Sequence, residues 1–379
     1  PDVLPGDPEF GTYTLADVDK GKLEAPKGEE QDDGPDPDVQ DGPAVGPGGQ
    51  IIPDHPNSTS TMDALDSIGL TNYFLWRQEN ETLYQRMGEV RDHPRLQGLW
   101  YRGIVGKNKY DSHGRYFQNK YYGIQMGFDR ADVNYAEAPV QCDDDENRLL
   151  CPRDYSKWIY GVGFTYLQGT SKLENGGNSE NWIGTVSAYA VRQWSNGAYL
   201  DLIAKISRMD NDFTAVSDEY RYVTKGKYHT YAGLVSAEVG KKHMITDHIY
   251  IDPQVQLALG YIKGVDYRTD NGVNVSVKGS ASVVGRAGVA VGYETNKGSL
   301  YAKVDFLREF ANTYKAKYTL DNGAWNKSKI KMKDSWTEAV VGGTRNFNES
   351  SYGFVQAKRS FGAELQTKYR IDAGIRFVF

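Results

Sequence analysis

Residues 367–379 read TKYRIDAGIRFVF, and this closing stretch alternates between two kinds of side chain. Its apolar positions are Tyr369, Ile371, Ala373, Ile375, Phe377 and Phe379. The charged residues Arg370, Asp372 and Arg376 lie between them. Because successive side chains of a β-strand point to opposite faces, one face of this strand is apolar and the other is charged.

The same alternation recurs upstream. In residues 247–262, Ile249, Ile251, Val255, Leu257 and Leu259 alternate with Tyr250, Asp252, Gln254 and Gln256. In residues 298–310, Leu300, Ala302, Val304 and Phe306 alternate with Tyr301, Lys303 and Asp305. Clusters of Gly, Asn, Asp and Ser separate such segments, as turns do. The pattern predicts about twelve strands: 96–109, 115–130, 156–170, 181–194, 197–210, 226–241, 247–262, 281–294, 298–310, 333–346, 350–361 and 367–379.

These strands are longer than the five or six residues that are typical of soluble sheets. They suit the roughly 9–11 residues that a tilted strand needs to cross a bilayer. An even number of such strands closes into an antiparallel transmembrane β-barrel that leaves no backbone edge unpaired. Its lumen-facing residues are then Tyr250, Asp252, Gln254, Gln256, Arg286, Tyr301, Lys303, Asp305, Arg370 and Arg376. Segment 181–194 alternates poorly, and a soluble β-sandwich or solenoid stays open as an alternative.

Composition argues against a membrane protein of the helical type. The chain has 379 residues, 39% of them hydrophobic, and no stretch approaches the ~20 apolar residues of a spanning helix. It is rich in glycine, with 41 residues, and in tyrosine, with 27. The low mean hydropathy of −0.62 does not exclude a barrel, because only alternate residues of each strand face lipid.

The charge is unevenly distributed along the chain. Residues 1–58 contain 10 of the 14 prolines and 14 acidic against 3 basic residues, a net charge of −11 that leaves +5 for the remainder. Such a segment buries too little apolar surface to fold, so residues 25–59 are predicted to be a disordered acidic linker rich in Pro and Gly. Before it, residues 10–24 suit one or two short strands.

Residues 61–92 follow a different period. Leu65, Ile68 and Phe74 have approximate helical spacing, and Asp63 is a helix-start residue. A helix from Asp63 to Arg91 would be roughly 44 Å long, close to the ~40–45 Å of a bilayer with its headgroups. The alternative is an amphipathic helix that lies on a soluble sheet.

The two cysteines, Cys142 and Cys151, flank an acidic stretch without histidine. A zinc site would need four suitable ligands, so we predict a disulfide in an oxidising compartment, with two free thiols as the alternative. The acidic run 143–146 lacks the glycine turn of a calcium loop. We therefore predict no metal site and no cofactor.

Several segments resemble the C-terminal translocator domain of monomeric autotransporters, the type V secretion proteins of Gram-negative bacteria. They are LYQRMGEVRD (83–92), LWYRG (99–103), VVGRAGVAVGY (283–293) and GSLYAKVDFLREF (298–310). The resemblance covers about residues 60–379. Residues 86–92 and 300–310, taken together in this order, are its most specific elements.

The resemblance implies an outer-membrane barrel, residues 94–379, that exports a passenger and keeps a helix, residues 60–93, inside the pore. Residues 1–24 would be a remnant of the passenger, displayed at the cell surface. The implied partners are outer-membrane lipid, the barrel-assembly machinery and the passenger, for a monomer that binds no nucleic acid. The pore-helix residues would be Asn72, Trp76, Gln78, Asn80, Gln85, Arg86, Met87, Gly88 and Arg91. We expect its polar face to meet lumen residues such as Tyr250, Gln254, Gln256, Arg286, Lys303, Asp305 and Arg376.

The resemblance also implies roles for the chain end and for the helix. Asp372, Gly374, Phe377 and Phe379 fit the signal that the barrel-assembly machinery recognises in the last strand. Some members cut the passenger free with two adjacent Asn placed five and six residues before the Met-Gly of the helix. Glu81 and Thr82 stand at those positions here, so we expect no self-cleavage by that route and no enzymatic activity.

Other classes of function find little support in the sequence. It contains no G-x-S-x-G, H-E-x-x-H, P-loop or dinucleotide motif. A hydrated barrel wall accounts for the inward Arg and Lys residues without a nucleic acid. Two alternatives to the translocator remain, an outer-membrane porin or diffusion channel and a soluble β-rich adhesive protein.

Overall fold

The computed structural model describes residues 60–79, 97–135, 155–216, 223–321, 323, 325–348 and 350–379. Within these residues the chain forms one α-helix, α1 (Ser60–Arg77), a single turn of 3₁₀-helix at Glu174–Gly176 and seventeen strands. The first nine strands are β1 (Gln97–Ser112), β2 (Arg115–Tyr135), β3 (Tyr155–Leu173), β4 (Asn178–Trp194), β5 (Ala198–Val216), β6 (Val223–Lys241), β7 (His243–Met244), β8 (Ile249–Ile262) and β9 (Val265–Arg268). The others are β10 (Asn274–Val277), β11 (Ser280–Thr295), β12 (Gly298–Glu309), β13 (Thr313–Thr319), β14 (Trp325–Lys331), β15 (Ser335–Asn348), β16 (Ser351–Phe361) and β17 (Leu365–Val378).

Twelve of these strands form a closed antiparallel barrel. The order around it is β1, β2, β3, β4, β5, β6, β8, β11, β12, β15, β16 and β17. β17 pairs with β1 from Gly98 opposite Val378 to Tyr110 opposite Leu365, so the last strand closes the ring on the first. The predicted fold class and strand number are confirmed, and several strands run longer than predicted, with β3 reaching Leu173 and β5 reaching Val216.

The two faces of the barrel differ as the alternation predicted. Outward apolar side chains such as Ile206 and Leu300 are 72% and 68% exposed, whereas the residues next to them in sequence point into the lumen. The poorly alternating segment 181–194 follows the same rule. Ile183 and Tyr189 are buried on the inward face and Val186 is exposed on the outward face, because the lumen near this strand also accepts apolar side chains.

Aromatic rings cover glycines on the inner wall. The ring of Tyr250 lies against Gly292 on the neighbouring strand, where a Cβ atom would come within 2.2 Å of the ring. Tyr121 lies against Gly106 in the same way, at 2.4 Å. A side chain at either glycine would displace a fully buried ring, so these positions require glycine for space.

A second sheet, which the sequence did not predict, lies at one end of the barrel. Its order is β14, β13, β10 and β9, and its strands leave the barrel between β8 and β11 and between β12 and β15. The sheet packs on the helix at Gly69, where a Cβ atom would come within 2.6 Å of the Tyr314 ring carbons. Strands of four to seven residues are too short to show a clear alternation, so they are absent from the twelve predicted strands.

The described part of the predicted pore helix ends in a turn. It ends at Arg77, and Gln78 and Glu79 form a turn in which their amides donate to Leu75 and Trp76. The helical hydrogen-bond pattern stops at this turn, and the predicted continuation from residue 80 to Arg91 lies outside the described residues. At about 1.5 Å per residue, 18 residues span about 27 Å. Asn80, Gln85, Arg86, Met87, Gly88 and Arg91 lie outside the described residues, as do Cys142 and Cys151.

Candidate functional site: the barrel lumen and its helix

Helix α1 lies inside the barrel, and most of its side chains are buried there. Its N-terminal half faces the four-stranded sheet, and its C-terminal end lies between the walls β2, β4, β5 and β17. β1 begins and β17 ends at the same end of the barrel, which is opposite to the end that carries the four-stranded sheet. The helix therefore enters from the sheet end and runs toward the end that carries the chain terminus.

Near its beginning, the helix is held by a buried carboxylate. Asp66 is fully buried and accepts hydrogen bonds from Arg115 Nε at 3.0 Å and Nη2 at 2.5 Å. The hydroxyls of Ser328, at 2.5 Å, and of Tyr318 also donate to Asp66. Arg115 forms a second ion pair with Asp63 at 2.9 Å. This group, called here the Asp66 cluster, joins the helix to the barrel wall and to the four-stranded sheet.

The phenol of Tyr318 in this cluster has a raised pKa. Burial of the ring is the main cause, and the negative charge of Asp66 adds to it. A raised pKa keeps the hydroxyl protonated, as a donor to a carboxylate must be. The contact between the helix and the sheet thus depends on a neutral tyrosine.

One turn further along, amide and hydroxyl side chains form a buried layer. Asn181 on β4 donates to Asn72 Oδ1 at 3.1 Å. Asn211 on β5 donates to Thr71 Oγ1 at 3.1 Å and to Asn72 Oδ1 at 3.3 Å. Ser179 donates to the Oδ1 atom of Asn211 at 2.7 Å. Neutral groups of this kind bind the helix to two strands without any charge.

The opposite side of the helix makes aromatic contacts. Phe74 packs on the rings of Tyr110 and Phe117, with centroids 5.1 and 5.6 Å away. The guanidinium of Arg77 lies 3.6 Å from the ring centroid of Trp336. Trp76, which was predicted to face the pore, is buried against Gly260 of β8. Hydrophobic burial therefore adds to the polar contacts in holding the helix.

At the C-terminal end, cations from the wall bind backbone carbonyls of the turn. Arg370 Nη1 donates to the carbonyl of Gln78 at 2.5 Å, and Lys205 donates to the carbonyl of Glu79. Tyr121 donates to Gln78 Oε1 at 3.1 Å and Thr185 donates to Glu79 Oε1 at 2.8 Å. Positive groups at a helix C-terminus interact favourably with its dipole, so this arrangement stabilises the C-terminal turn.

The residues predicted to face the lumen are all buried in the structure. They are Tyr250, Asp252, Gln254, Gln256, Arg286, Tyr301, Lys303, Asp305, Arg370 and Arg376. Arg370 pairs with Asp372 at 2.8 Å, and Lys303 lies 3.2 Å from Asp305. Arg376 donates to both carboxylate oxygens of Asp129, one of them at 2.7 Å. Charges of opposite sign thus stand next to each other on the inner wall.

The expected contacts of the helix need one correction. We expected Asn72 and Gln78 to meet residues such as Gln254 and Lys303, but their hydrogen bonds go to Asn181, Asn211 and Tyr121 and, through the Gln78 carbonyl, to Arg370. Alternation identifies the face of a strand, but it does not give the depth at which the helix lies.

The four residues of the expected assembly signal occupy both faces of β17 and its end. Asp372 is buried and accepts hydrogen bonds from Gln356 at 2.9 Å and from Arg370. Phe377 and Phe379 are 42% and 63% exposed on the outer face. Gly374 is covered by the ring of Phe354. The two aromatic side chains are therefore accessible at the outer surface, whereas the carboxylate belongs to the inner wall.

Sequence reasoning missed the Asp66 cluster and the cations at the C-terminal turn. Asp63 and Asp66 are three residues apart, a spacing that places both on one helix face, and this signal was available. Nothing local connects them with Arg115, Lys205 or the short strands of the second sheet. Within the described residues no group of His, Cys, Asp and Glu could hold a metal ion. In the same residues, no helix has the length and apolar character to span a bilayer.

Comparisons with known proteins agree with this architecture. The pertactin autotransporter of Bordetella parapertussis is 28% identical over 318 residues, 82% of this chain and 32% of its own length. A probable autotransporter of Escherichia coli, YcgV, is 26% identical over 331 residues, 85% of this chain and 32% of its own. The chain thus spans about a third of the length of these relatives.

Solved structures show the same fold. The β-domain of the Bordetella autotransporter BrkA matches with a TM-score of 0.60 at 18% identity, covering 75% of this chain and all of that one. The transport unit of AIDA-I from Escherichia coli matches with a TM-score of 0.59 at 12% identity, covering 85% and 99%. The family model described as the autotransporter beta-domain matches residues 99–358. The chain belongs to the autotransporter β-domain family.

Proposed function

We propose that this chain is the translocator unit that carries an N-terminal passenger across the outer membrane and then anchors it, with helix α1 closing the pore. The barrel lies in the bacterial outer membrane, where its family resides. The observation that carries the proposal is the series of buried polar contacts from Asp66 to Glu79, which fix a helix inside the lumen. A diffusion channel has no need of such an occupant.

The orientation of the helix supports the direction of export. Its first residue, Ser60, lies at the end with the four-stranded sheet. Phe379 lies at the opposite end, beside Gln97. In the proposed topology the sheet end faces the cell surface, with the upstream residues, and the end with Phe379 faces the periplasm.

Conductance in planar bilayers tests the plug. We expect the intact chain to conduct poorly and a variant without residues 60–79 to form a large stable pore, because the deletion removes the buried helix. A matched control is a deletion of residues 31–50, which has the same length but lies upstream of the helix. If the intact chain already forms a large open pore that the helix deletion does not enlarge, the chain is a diffusion channel instead.

Surface proteolysis tests the topology. Protease added to whole cells should cut residues 1–58 and leave the barrel intact. Protection of this segment in intact cells, with cleavage only after the outer membrane is opened, would reverse the proposed orientation. Monodisperse behaviour in buffer without detergent would instead support a soluble adhesive protein.

We further propose that the barrel-assembly machinery recognises the last strand through its exposed aromatic end. Strand addition at an open edge is a common mode of recognition, and Phe377 and Phe379 are exposed there. Replacing both with Ser should lower the amount of heat-modifiable barrel in the membrane while synthesis continues. Phe361→Ser is the control, because Phe361 is equally outward, 48% exposed, at the opposite rim. Equal assembly of the two variants would contradict the proposal.

We propose that the unit is monomeric and does not cut its own passenger. Glu81 and Thr82 replace the asparagines that the self-cleaving mechanism requires. The intact mass of the purified chain should therefore include residues 1–96. Light scattering of the detergent complex should give one barrel per particle. A barrel that begins near residue 80 after expression would show that another cleavage route operates.

A further inference from the structure

An arginine on the outer face of the barrel lies between two tryptophans. The guanidinium of Arg192 on β4 is 5.3 Å from the ring centroid of Trp158 and 4.8 Å from that of Trp194. The ring of Tyr160 stacks on Trp158, with centroids 5.5 Å apart and planes 6° from parallel. These four residues are called here the Arg192 cage. Both distances lie within the ~6 Å at which a cation is attracted to an aromatic face.

The cage lies at one edge of the lipid-facing surface. β3 carries outward apolar residues between Trp158 and Tyr166, with Val162 and Phe164 exposed. Eight residues at about 3.3 Å each, on a strand tilted by about 40°, correspond to roughly 20 Å along the barrel axis. Tryptophan and tyrosine concentrate at the two membrane–water interfaces. The Arg192 cage therefore lies at the level of lipid headgroups, on the rim that carries Phe379.

An arginine also lies over a tryptophan at the other rim of the barrel, but that arginine pairs with a carboxylate. Arg208 lies 5.7 Å from the Trp182 ring and donates to both oxygens of Asp210, at 2.9 and 3.3 Å. Among the described residues no carboxylate pairs with Arg192, and its Nε atom is buried without a hydrogen bond. Asp132, on the strand next to Trp158, pairs with Arg130 at 3.6 Å instead. The cage thus holds a positive charge that has no carboxylate partner within the described residues.

We propose that the Arg192 cage binds the phosphate of a glycerophospholipid headgroup. A guanidinium presents paired donors that match phosphate oxygens, and the tryptophan faces hold it at the interface while the acyl chains lie on the apolar surface of β3 and β4. Charge complementarity favours an anionic lipid, because the site supplies one unpaired positive charge. The leaflet concerned, the periplasmic one, follows from the orientation given under Proposed function, but binding itself does not depend on it.

Lipid retention measured by native mass spectrometry tests the site. The purified full chain is titrated with phosphatidylglycerol in detergent, and we expect one molecule to bind more tightly than the others. Arg192→Gln should weaken this binding about tenfold, as the loss of one charge-assisted contact predicts, and Arg192→Lys should restore part of it. Arg208→Gln is the matched control and should leave binding unchanged. Heat-modifiable gel migration establishes that each variant folds.

Two further binding measurements identify the part of the lipid that the site recognises. Diacylglycerol with the same acyl chains should bind at least tenfold more weakly, and millimolar inorganic phosphate should compete poorly because it lacks those chains. Equal retention of phosphatidylglycerol by the wild type, Arg192→Gln and Arg208→Gln would overturn the proposal and indicate a non-specific lipid shell. Trp194→Leu keeps an apolar surface but removes one aromatic face, and unchanged affinity there would exclude the cage. Conductance of Arg192→Gln should stay low, so failure of this site is distinguishable from failure of the plug.

Discussion

Replacement of Asp66 by Asn should loosen the helix in the pore. Asp66 is fully buried and balances Arg115, which donates to it through two nitrogens. Asn has the same shape but no charge, so Arg115 would keep only Asp63 as an anionic partner. The amide group of Asn also brings a donor toward Tyr318 and Ser328, whose hydroxyls now donate to the carboxylate.

The size of the effect follows from these contacts. Loss of one partner of a buried ion pair costs about 3–5 kcal/mol. The remaining pair with Asp63, at 2.9 Å, offsets part of this loss, so we expect the lower end of the range, about 3 kcal/mol. At 25 °C this corresponds to an about 150-fold increase in the population of undocked helix. Asp63→Asn removes a partly exposed pair and should cost about 1 kcal/mol or less.

Hydrogen exchange followed by mass spectrometry measures both variants. In Asp66→Asn, protection of peptides covering residues 60–79 should fall about 150-fold, while peptides from β3 and β4 keep their protection. In Asp63→Asn the same helix peptides should change by no more than about fivefold. Equal loss of protection in the two variants would refute the reasoning, because removal of the buried Asp66 charge would then cost no more free energy than removal of the partly exposed Asp63 charge. Faster exchange across the whole barrel in Asp66→Asn would show that the cluster supports the barrel instead of the helix.

Three further predictions concern packing, pH and assembly. Gly292→Ala should lower the temperature of the heat-modifiable gel shift, because its Cβ would meet a buried ring at 2.2 Å and overpacking costs about 1–3 kcal/mol; Gly103→Ala, whose nearest atom is 3.9 Å away, should not. The raised pKa of Tyr318 stabilises the fold fully below pH ~10, the usual value for tyrosine, and this contribution is lost as the pH rises through the raised value. Tyr318→Phe should therefore show less additional exchange of the helix at high pH than the wild type does, and an identical pH dependence would contradict this. Deletion of Phe379 should reduce barrel assembly, as judged by the folded fraction on unboiled gels, and an unchanged fraction would count against the assembly signal.

The strands were predictable because lipid and lumen impose opposite demands on alternate residues. In β17, each of Ile371, Asp372 and Phe377 takes the face that its side chain requires. Apolar and polar residues alternate in the same way in every long strand, so a barrel of twelve strands could be predicted from this one repeated pattern. Strand ends were less predictable, because β3 and β5 extend beyond the apolar band, where the alternation carries little signal.

The interior arrangement was not predictable in the same way. Asn72 and Gln78 were recognised as polar residues of a pore helix, but their partners Asn181 and Tyr121 are 109 and 43 residues distant in sequence. Such pairs depend on the depth and rotation of the helix, which no local period encodes. The short strands β9 and β10, of four residues each, are fixed by pairing with each other and, for β10, with β13, and not by their own alternation.

The contacts at the two ends of α1 together define a single depth for the helix in the pore. Near its N-terminus the negative charge of Asp66 meets Arg115, and at its C-terminal turn the carbonyls of Gln78 and Glu79 meet the cations Arg370 and Lys205. A shift of the helix by one turn, about 5.4 Å, would separate both sets at once. At the first end the shift would separate the buried charges of Asp66 and Arg115, which is strongly unfavourable, and at the second it would remove the hydrogen bonds from Arg370 and Lys205 to the two carbonyls. Movement of the helix along the barrel axis is opposed in the same way, and this is the physical basis for the proposal that the helix both closes the pore and anchors the passenger.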